Sequence, residues 1–541
     1  MKNFSRLCCA LLCAASVLSA CAGQSNPFDN QEEVRLPIMG WSSWNTFLCD
    51  ISEDLICGQA DAMVETGLKD AGYSYINIDD GYTDGRGEDG FIRIDTTKFP
   101  NGMKVVADYI HSKGLKAGIY ADGGNNNCGT RDVRPYGLEV GLWRYEEQDT
   151  KMYFDDWNYD FIKIDFCGGL WRKLDVQEQY TKIADAIHKC DKQDIRFNVC
   201  RWAFPGVWVR EVADSWRTTN DIELDWASIK RITLENVYLS AYVGGGHYND
   251  LDMLEIGREL PEDEERTHMA VWCIMSSPII IGCDFRTIPE RSIELLKNQD
   301  LLAMDQDRLG ISGAPVAFAD SVLVLAKDME TFHGPKRAVV VTNLSGEEAS
   351  IDVPLADLGF RGKVAVYDCF QHADRQDICL SDHITVKVAA HGSEAFYLTG
   401  KRIDKTSYQA EEAFLNAYSE LEEHADRTPH VYFSTSADLG MYACGLGGRE
   451  DNWMEWQKVE SSKGGRYVVT VRYACADESG MKMSVNGAEA ASFDNLNTGA
   501  ELEWAETSAV VELNAGYNTI RLENADAAMP AIDRITVKEY R

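Results

Sequence analysis

FIKIDFC, residues 161–167, is a short β-rich apolar run that ends on an acid, Asp165, and gives way to an amphipathic helical stretch over 175–190. The same unit recurs on either side of it. Runs of this kind stand at 38–44, 73–80, 115–122, 195–202, 215–222, 241–252 and 278–284, with helical candidates such as 53–71, 103–113 and 266–275 between them. With 161–167 they make eight β/α units between residue 36 and about residue 310, the size and order of a (β/α)8 TIM barrel. A doubly wound open sheet is the alternative, but no G-x-G-x-x-G turn follows the first run. In a barrel the active groups sit at the C-terminal strand ends, where the acids and tryptophans of these runs cluster.

Beyond the barrel the texture changes. Short alternating runs at 321–327, 337–342, 363–368, 384–388 and 394–398 predict an antiparallel β domain over 311–400. The polar stretch GKRIDKTS at 400–407 marks a boundary, and 401–541 reads as a third unit, a β-sandwich opening on YQAEEAFL. Several domains suit a chain of 541 residues, given about 150 residues per domain. Hydrophobic residues at 45% and charged residues at 26% exclude a disordered chain. Asp plus Glu number 87 against 53 Lys plus Arg, and the net charge of -34 repels phosphate backbones and anionic lipid. Nucleic-acid partners are excluded on that ground.

The N-terminus reads as an export signal. Lys2 and Arg6 precede an apolar run over 7–17, too short to span a bilayer. Leu18-Ser19-Ala20-Cys21 resembles the lipobox of bacterial lipoproteins. That resemblance implies a signal peptide over 1–20, lipidation of Cys21, and a linker over 21–35. The chain is then exported and lipid-anchored in the cell envelope, at the periplasm or cell surface, touching membrane only through that anchor. Four of the 16 cysteines lie in this segment; the closely spaced pairs among the rest are Cys49 with Cys57, Cys190 with Cys200 and Cys369 with Cys379, and Cys128 with Cys167 is a longer-range option. No CxxC pair with matching His spacing occurs, so no zinc site or other catalytic metal is expected.

Two carboxylates stand out. Asp165 ends one strand run, and Asp221 closes another, SWRTTND, two strands further round. Glycoside cleavage needs such a pair facing one pocket, about 5–5.5 Å apart for retention and about 6.5–9.5 Å for inversion. A strand-end Asp serves equally as a helix N-cap. Lys163, two residues before Asp165, points to the same side of the strand and would keep that carboxylate ionised. Asp79-Asp80 is costly to bury unless sugar hydroxyls or another partner meets it; the alternative is a solvated turn, since Gly81 follows. Trp41 and Trp44 offer a wall for a pyranose face, or a pair of core tryptophans.

Six ordered motifs complete the constellation: Gly40-Trp41-x-x-Trp44, Ile78-Asp79-Asp80, Gly118-Ile119-Tyr120-Ala121-Asp122, Lys163-Ile164-Asp165-x-Cys167, Trp216-Arg217-x3-Asp221-Ile222 and Asn249-Asp250-x-Asp252-Met253. Over about 36–400 the chain resembles the family 27 glycoside hydrolases, the clan D α-galactosidases and α-N-acetylgalactosaminidases. The resemblance implies a retaining exo-α-galactosidase that needs no cofactor and acts on galactose-containing glycans. It makes Asp165 the nucleophile and Asp221 the acid that then turns base. Trp44 would pack on the sugar, Asp79 and Asp80 hold O4 and O6, Tyr120 and Lys163 surround O3, O4 and the nucleophile, Arg217 reach O2, and Met253 close the floor. It also pairs Cys128 with Cys167.

Departures from the family pattern are informative. Gly81 stands where many members carry a cysteine and Tyr82 where a Trp is usual, which frees Cys49 for Cys57. The fifth strand end, Cys200-Arg201-Trp202-Ala203-Phe204, faces the sugar's 2-position in the family. The bulk of Arg201 and Phe204 argues against a 2-acetamido group and for galactose, or for a β-L-arabinopyranose of the same ring stereochemistry. The last unit resembles carbohydrate-binding modules of the family 6 and 35 type through Tyr408-Gln409-Ala410-Glu411 and Ala531-Ile532-Asp533-Arg534-Ile535. Such modules hold a structural calcium, with Gln409 here in place of the first acid; a sandwich that only packs on the enzyme is the alternative. The rival readings of the whole chain are an α-N-acetylgalactosaminidase or β-L-arabinopyranosidase, a non-catalytic glycan-binding surface lipoprotein, and metal-dependent barrel chemistry such as enolisation.

Overall fold

A computed structural model describes residues 27–28, 34–129 and 139–541. The signal segment 1–20 and Cys21 lie outside these residues. The eight repeating units form one parallel sheet of β1 (Met39–Ser42), β2 (Tyr75–Asn77), β3 (Lys116–Asp122), β4 (Phe161–Asp165), β5 (Arg196–Val199), β6 (Ser215–Arg217), β7 (Tyr248–Asp250) and β8 (Ile279–Ile281). Its order runs from β8 through β1 to β7, and a parallel bridge from Leu254 to Ile281 closes the ring. Strands such as β1, β2 and β8 are buried along their whole length, as a parallel sheet wrapped by helices requires. Ser52, Asp175 and Asp225 cap the N-termini of the helices Glu53–Glu65, Val176–His188 and Trp226–Asn236.

Register decides which side chains meet. Tyr120 pairs with Lys163 and Asp122 with Asp165 across β3 and β4, and Arg217 pairs with Asp250 across β6 and β7. Residues in register in a parallel pair share a face, so these groups converge at the C-terminal rim.

The second domain is a six-stranded antiparallel sheet in the order Ala314–Ala319, Val322–Asp328, Lys336–Asn343, Ser393–Arg402, Phe360–Asp368, Ala373–Asp374, covered by the pair Ala349–Pro354 and His383–Val388. It has its own aliphatic core around Val324, Val341, Val386 and Phe396. The third domain is a sandwich of two antiparallel sheets, one centred on Ala531–Glu539 and Gly465–Ala474, the other on Met454–Ser461 and Gly516–Glu523.

Only one of the four anticipated cysteine pairings forms: Cys128–Cys167 is a disulfide. Cys57, Cys190, Cys200, Cys369 and Cys379 are unbridged, so the three short-range pairings are not made. Gly81 and Lys98 organise the loop at Cys49. A Cβ at Gly81, whose φ is +114°, would lie 2.7 Å from the Cys49 Cα, and Lys98 donates to both the Cys49 and Gly81 carbonyls at 2.6 and 2.9 Å.

Candidate active site

The acids at the barrel rim are buried and engaged. Asp79 and Asp80 are 3% and 0% exposed, which rules out a solvated turn. Asp79 Oδ2 lies 3.1 Å from Lys163 Nζ, and Ser43 Oγ accepts from the Asp79 amide. Asp80 accepts from the Gly81 and Gly129 amides and from Asn127 Nδ2. The loop after β3 brings Asn127 and Gly129 in, and it is held to the loop after β4 by the disulfide and by a close backbone approach. A Cβ on Gly124 would sit 1.9 Å from the Gly168 carbonyl carbon.

Asp165 sits at the centre. Its Oδ2 accepts from Tyr120 Oη at 2.7 Å and touches the Cys128 disulfide sulfur at 3.3 Å, while Oδ1 is buried and accepts no hydrogen bond. Burial pushes its carboxyl above the ordinary value, Lys163 pulls it down, and Asp79 pushes it up again. One oxygen of the pair is therefore fixed and the other is open.

Asp221 is different. Its side chain is 66% exposed at the mouth and pairs with Arg217 at 3.0 Å. Burial of the carboxyl opposes ionisation, yet Arg217 and then Lys163 hold it below its ordinary value. Arg217, itself 3% exposed, also pairs with Asp252 at 2.7 Å and lies 3.8 Å from the Cys200 sulfur. Asp252 adopts φ +83°, a strained conformation for a residue with a side chain, and its carboxyl is pushed up to about 7 by burial.

Trp44 is half-buried and packs on the small cluster of Ile38, Tyr75, Phe161, Met253 and Ile280 at the barrel mouth. Trp41 is a core residue that donates to the Cys283 carbonyl at 2.7 Å. Beneath the rim a small cavity of about 40 Å³ is lined by Asp79, Tyr120, Lys163, Arg217, Asp252 and Met253, together with Asn198 and Asp250. Asn198 donates to Asp250 at 2.8 Å. The roles of Asn198, Asp250 and Asp252 went unread in the sequence, although the last two stand in a quoted motif.

The fifth strand end departs from expectation. Phe204 is fully buried, with Tyr242, Tyr418 and Trp216 at ring distances of 4.5, 5.6 and 6.3 Å, so it does not crowd the sugar. Arg201 turns its guanidinium to Glu423 of the third domain, 3.6 Å away, and Trp202 is half-buried against the main core. The steric argument against a 2-acetamido group loses its Phe204 half.

A parallel barrel whose C-terminal rim gathers the strand-end Asp165, the loop acid Asp221, a lysine and an arginine defines a glycoside-hydrolase class of site. Residues 36–307 match the family described as alpha galactosidase A, 320–398 the alpha galactosidase C-terminal beta sandwich domain, and 440–529 carbohydrate binding module family 35. An alpha-galactosidase of Cyamopsis tetragonoloba is 36% identical over 373 residues, 67% of this chain and 86% of that one. Alpha-galactosidase A of Cellvibrio japonicus is 37% identical over 316 residues, 56% of this chain and 75% of that one. Alpha-galactosidase I of Mortierella vinacea superposes with a TM-score of 0.62 at 26% identity, over 69% of this chain and 99% of that one. The chain belongs to the alpha-galactosidase A family.

Proposed function

We propose that the chain is a retaining exo-α-galactosidase that removes terminal α-linked galactose from oligo- or polysaccharides. The observation that carries this reading is Asp165, with one oxygen fixed by Tyr120 and the other buried and free to form a bond. In the first step Asp165 Oδ1 bonds the anomeric carbon as the glycosidic C–O bond breaks, and Asp221 gives its proton to the departing oxygen. Water then attacks the glycosyl-enzyme, Asp221 takes its proton, and Asp165 leaves as carboxylate. Two inversions give net retention. Both proton transfers use this chain's carboxyls, and no cofactor enters.

Arg217 and Lys163 favour the ionised form of Asp221, the base of the second step, and the first step draws on its protonated form. Asp79 and Asp80, held by Lys163 and by backbone amides, offer remaining lone pairs to sugar hydroxyls; Trp44 supplies the apolar wall and Met253 the floor. Galactose remains the preferred sugar over arabinopyranose because the Asp79-Asp80 pair suits a sugar with both O4 and O6; against the 2-acetamido relative the bulk of Arg201 is the remaining reason.

For the N-terminus the lipobox-like Leu18-Ser19-Ala20-Cys21 supports an exported, lipid-anchored enzyme of the cell envelope. In the third domain, Glu411 is buried with neither carboxylate oxygen hydrogen-bonded. Hard, unpartnered oxygens of this kind fit a calcium ion held by Glu411 as a purely structural group, whereas Gln409 caps the Glu412 amide and Asp533 is already paired with Arg472 and with the Asp438 amide.

The test is hydrolysis of 4-nitrophenyl α-galactoside, α-N-acetylgalactosaminide and β-L-arabinopyranoside by the chain lacking residues 1–21. A dominant α-galactoside rate is expected. Turnover of none of the three would overturn the enzymatic reading in favour of glycan capture.

A further inference from the structure

The turn that follows β5 is held from outside the barrel. Cys200 at its start is buried, Arg217 Nη1 lies 3.8 Å from its sulfur, and its thiol is pushed up by burial and then by the charge of Asp165. Two residues on, Trp202 has φ +59°, a left-handed conformation that a bulky residue keeps only where its surroundings over-determine it. The barrel supplies restraints of its own: the Cys200 amide donates to the Ile164 carbonyl at 2.9 Å, and the Tyr180 hydroxyl donates to the Cys200 carbonyl at 3.1 Å.

The other restraints come from the third domain. Glu420 clamps Phe204 from both sides: its amide donates to the Phe204 carbonyl at 2.8 Å, and its Oε2 accepts from the Phe204 amide at 3.0 Å. Its Oε1 accepts from Tyr418 at 2.7 Å and from Tyr238 of the barrel at 3.2 Å. Ser419 Oγ donates to the Pro205 carbonyl at 3.1 Å, and the Tyr418 ring stacks on Phe204. Glu423 provides the acid that faces Arg201, whose side chain is only 12% exposed. A carboxylate that takes the backbone amide of Phe204 on one oxygen and two tyrosine hydroxyls on the other is a costly arrangement for mere docking, which apolar packing would accomplish alone.

We infer that residues 418–423 of the third domain are positioning residues for the catalytic pocket. Through Phe204 and Arg201 they set Cys200 and its strained turn against Asp165 and Arg217, so the pocket is complete only with the third domain docked. The inference rests on the α-galactosidase reading of that pocket. It makes the third domain part of the catalytic unit, whatever else it binds.

The test uses the chain with all three domains. Glu420→Ala and Glu423→Gln are assayed on 4-nitrophenyl α-galactoside beside the parent, with melting temperature measured for each. Glu420→Ala is expected to raise KM about 10-fold with kcat within about 3-fold. Glu420→Gln should recover most of that loss, because its amide oxygen still accepts from the Phe204 N–H. Glu423, on the surface, should on conversion to Gln raise KM about 3-fold without moving the melting temperature, a split that a merely structural role would not produce. If Glu420→Ala does not fold, Glu423→Gln decides. An active parent with KM unchanged in every folded variant overturns the inference; an inactive parent instead overturns the reading on which it rests.

Discussion

Carboxylates at the barrel rim and carboxylates of the third domain are treated differently. At the barrel rim Asp79, Asp221 and Asp252 each lie against a cation, Lys163 or Arg217, and Asp165 sits within the influence of Lys163. In the third domain Glu411 has neither cation nor amide, and Glu420 has tyrosine hydroxyls and one amide but no cation. A cation beside a carboxylate favours its charge and leaves it available for nucleophilic or acid–base work, as at Asp221, even where burial still lifts a neighbour such as Asp252 to about 7. One without a cation must take up a proton or a metal, and its role is to hold parts together.

The largest effect that sharpens this contrast is loss of the nucleophile. Asp165→Asn should lower kcat on α-galactosides by on the order of 10⁴-fold while galactose still binds, measured by steady-state rates and by calorimetry with galactose. Asp221→Ala should cost about 10²- to 10⁴-fold on natural galactosides and much less in bond cleavage on 2,4-dinitrophenyl α-galactoside, whose leaving group needs no proton. Equal losses on both substrates would break the assignment of Asp221 as the acid.

Smaller effects belong to the third domain. Removing calcium with a chelator should lower that domain's melting transition by about 5 °C, and Glu411→Gln should abolish the response. An identical melting curve with and without chelator would leave Glu411 to a proton instead. Glu420 is pushed up to about 7 by burial from an ordinary 4.5. Its folded value is raised, so the folded state is penalised as pH rises from the unfolded value through about 7, and the penalty is then constant. Denaturant midpoints should show the parent losing stability relative to Glu420→Gln across that window, by at most about 3 kcal/mol. A parallel pair of curves would mean that Glu420 stays ionised throughout.

Much of the rim was legible because its signals are local. A strand run such as 161–167 carries its own period and its own terminal acid, and parallel register does the rest. The Asp79-Asp80 dyad was readable as a cost seeking a partner, and the structure supplies Lys163 and the Gly129 amide. What stayed hidden depends on contacts between residues far apart in the chain. Cys49 and Cys57 are close in sequence, yet Gly81 and Lys98 organise the loop without a bridge. Phe204 and Arg201 follow a strand-end cysteine and so looked like sugar contacts, but their partners are Tyr418, Glu420 and Glu423, more than two hundred residues on. No periodicity or spacing encodes such a pairing.

The central claim is that Asp165 forms the covalent link to the sugar. In Asp221→Ala, 2,4-dinitrophenyl α-galactoside should still glycosylate the enzyme, while the missing base slows hydrolysis of the ester. Mass spectrometry of the acid-quenched reaction, followed by peptide mapping, reads the outcome. The account predicts one galactosyl unit per chain on the peptide that carries Asp165. A galactosyl unit on another carboxylate, or release of dinitrophenol with no adduct on the protein under slow turnover, would contradict it.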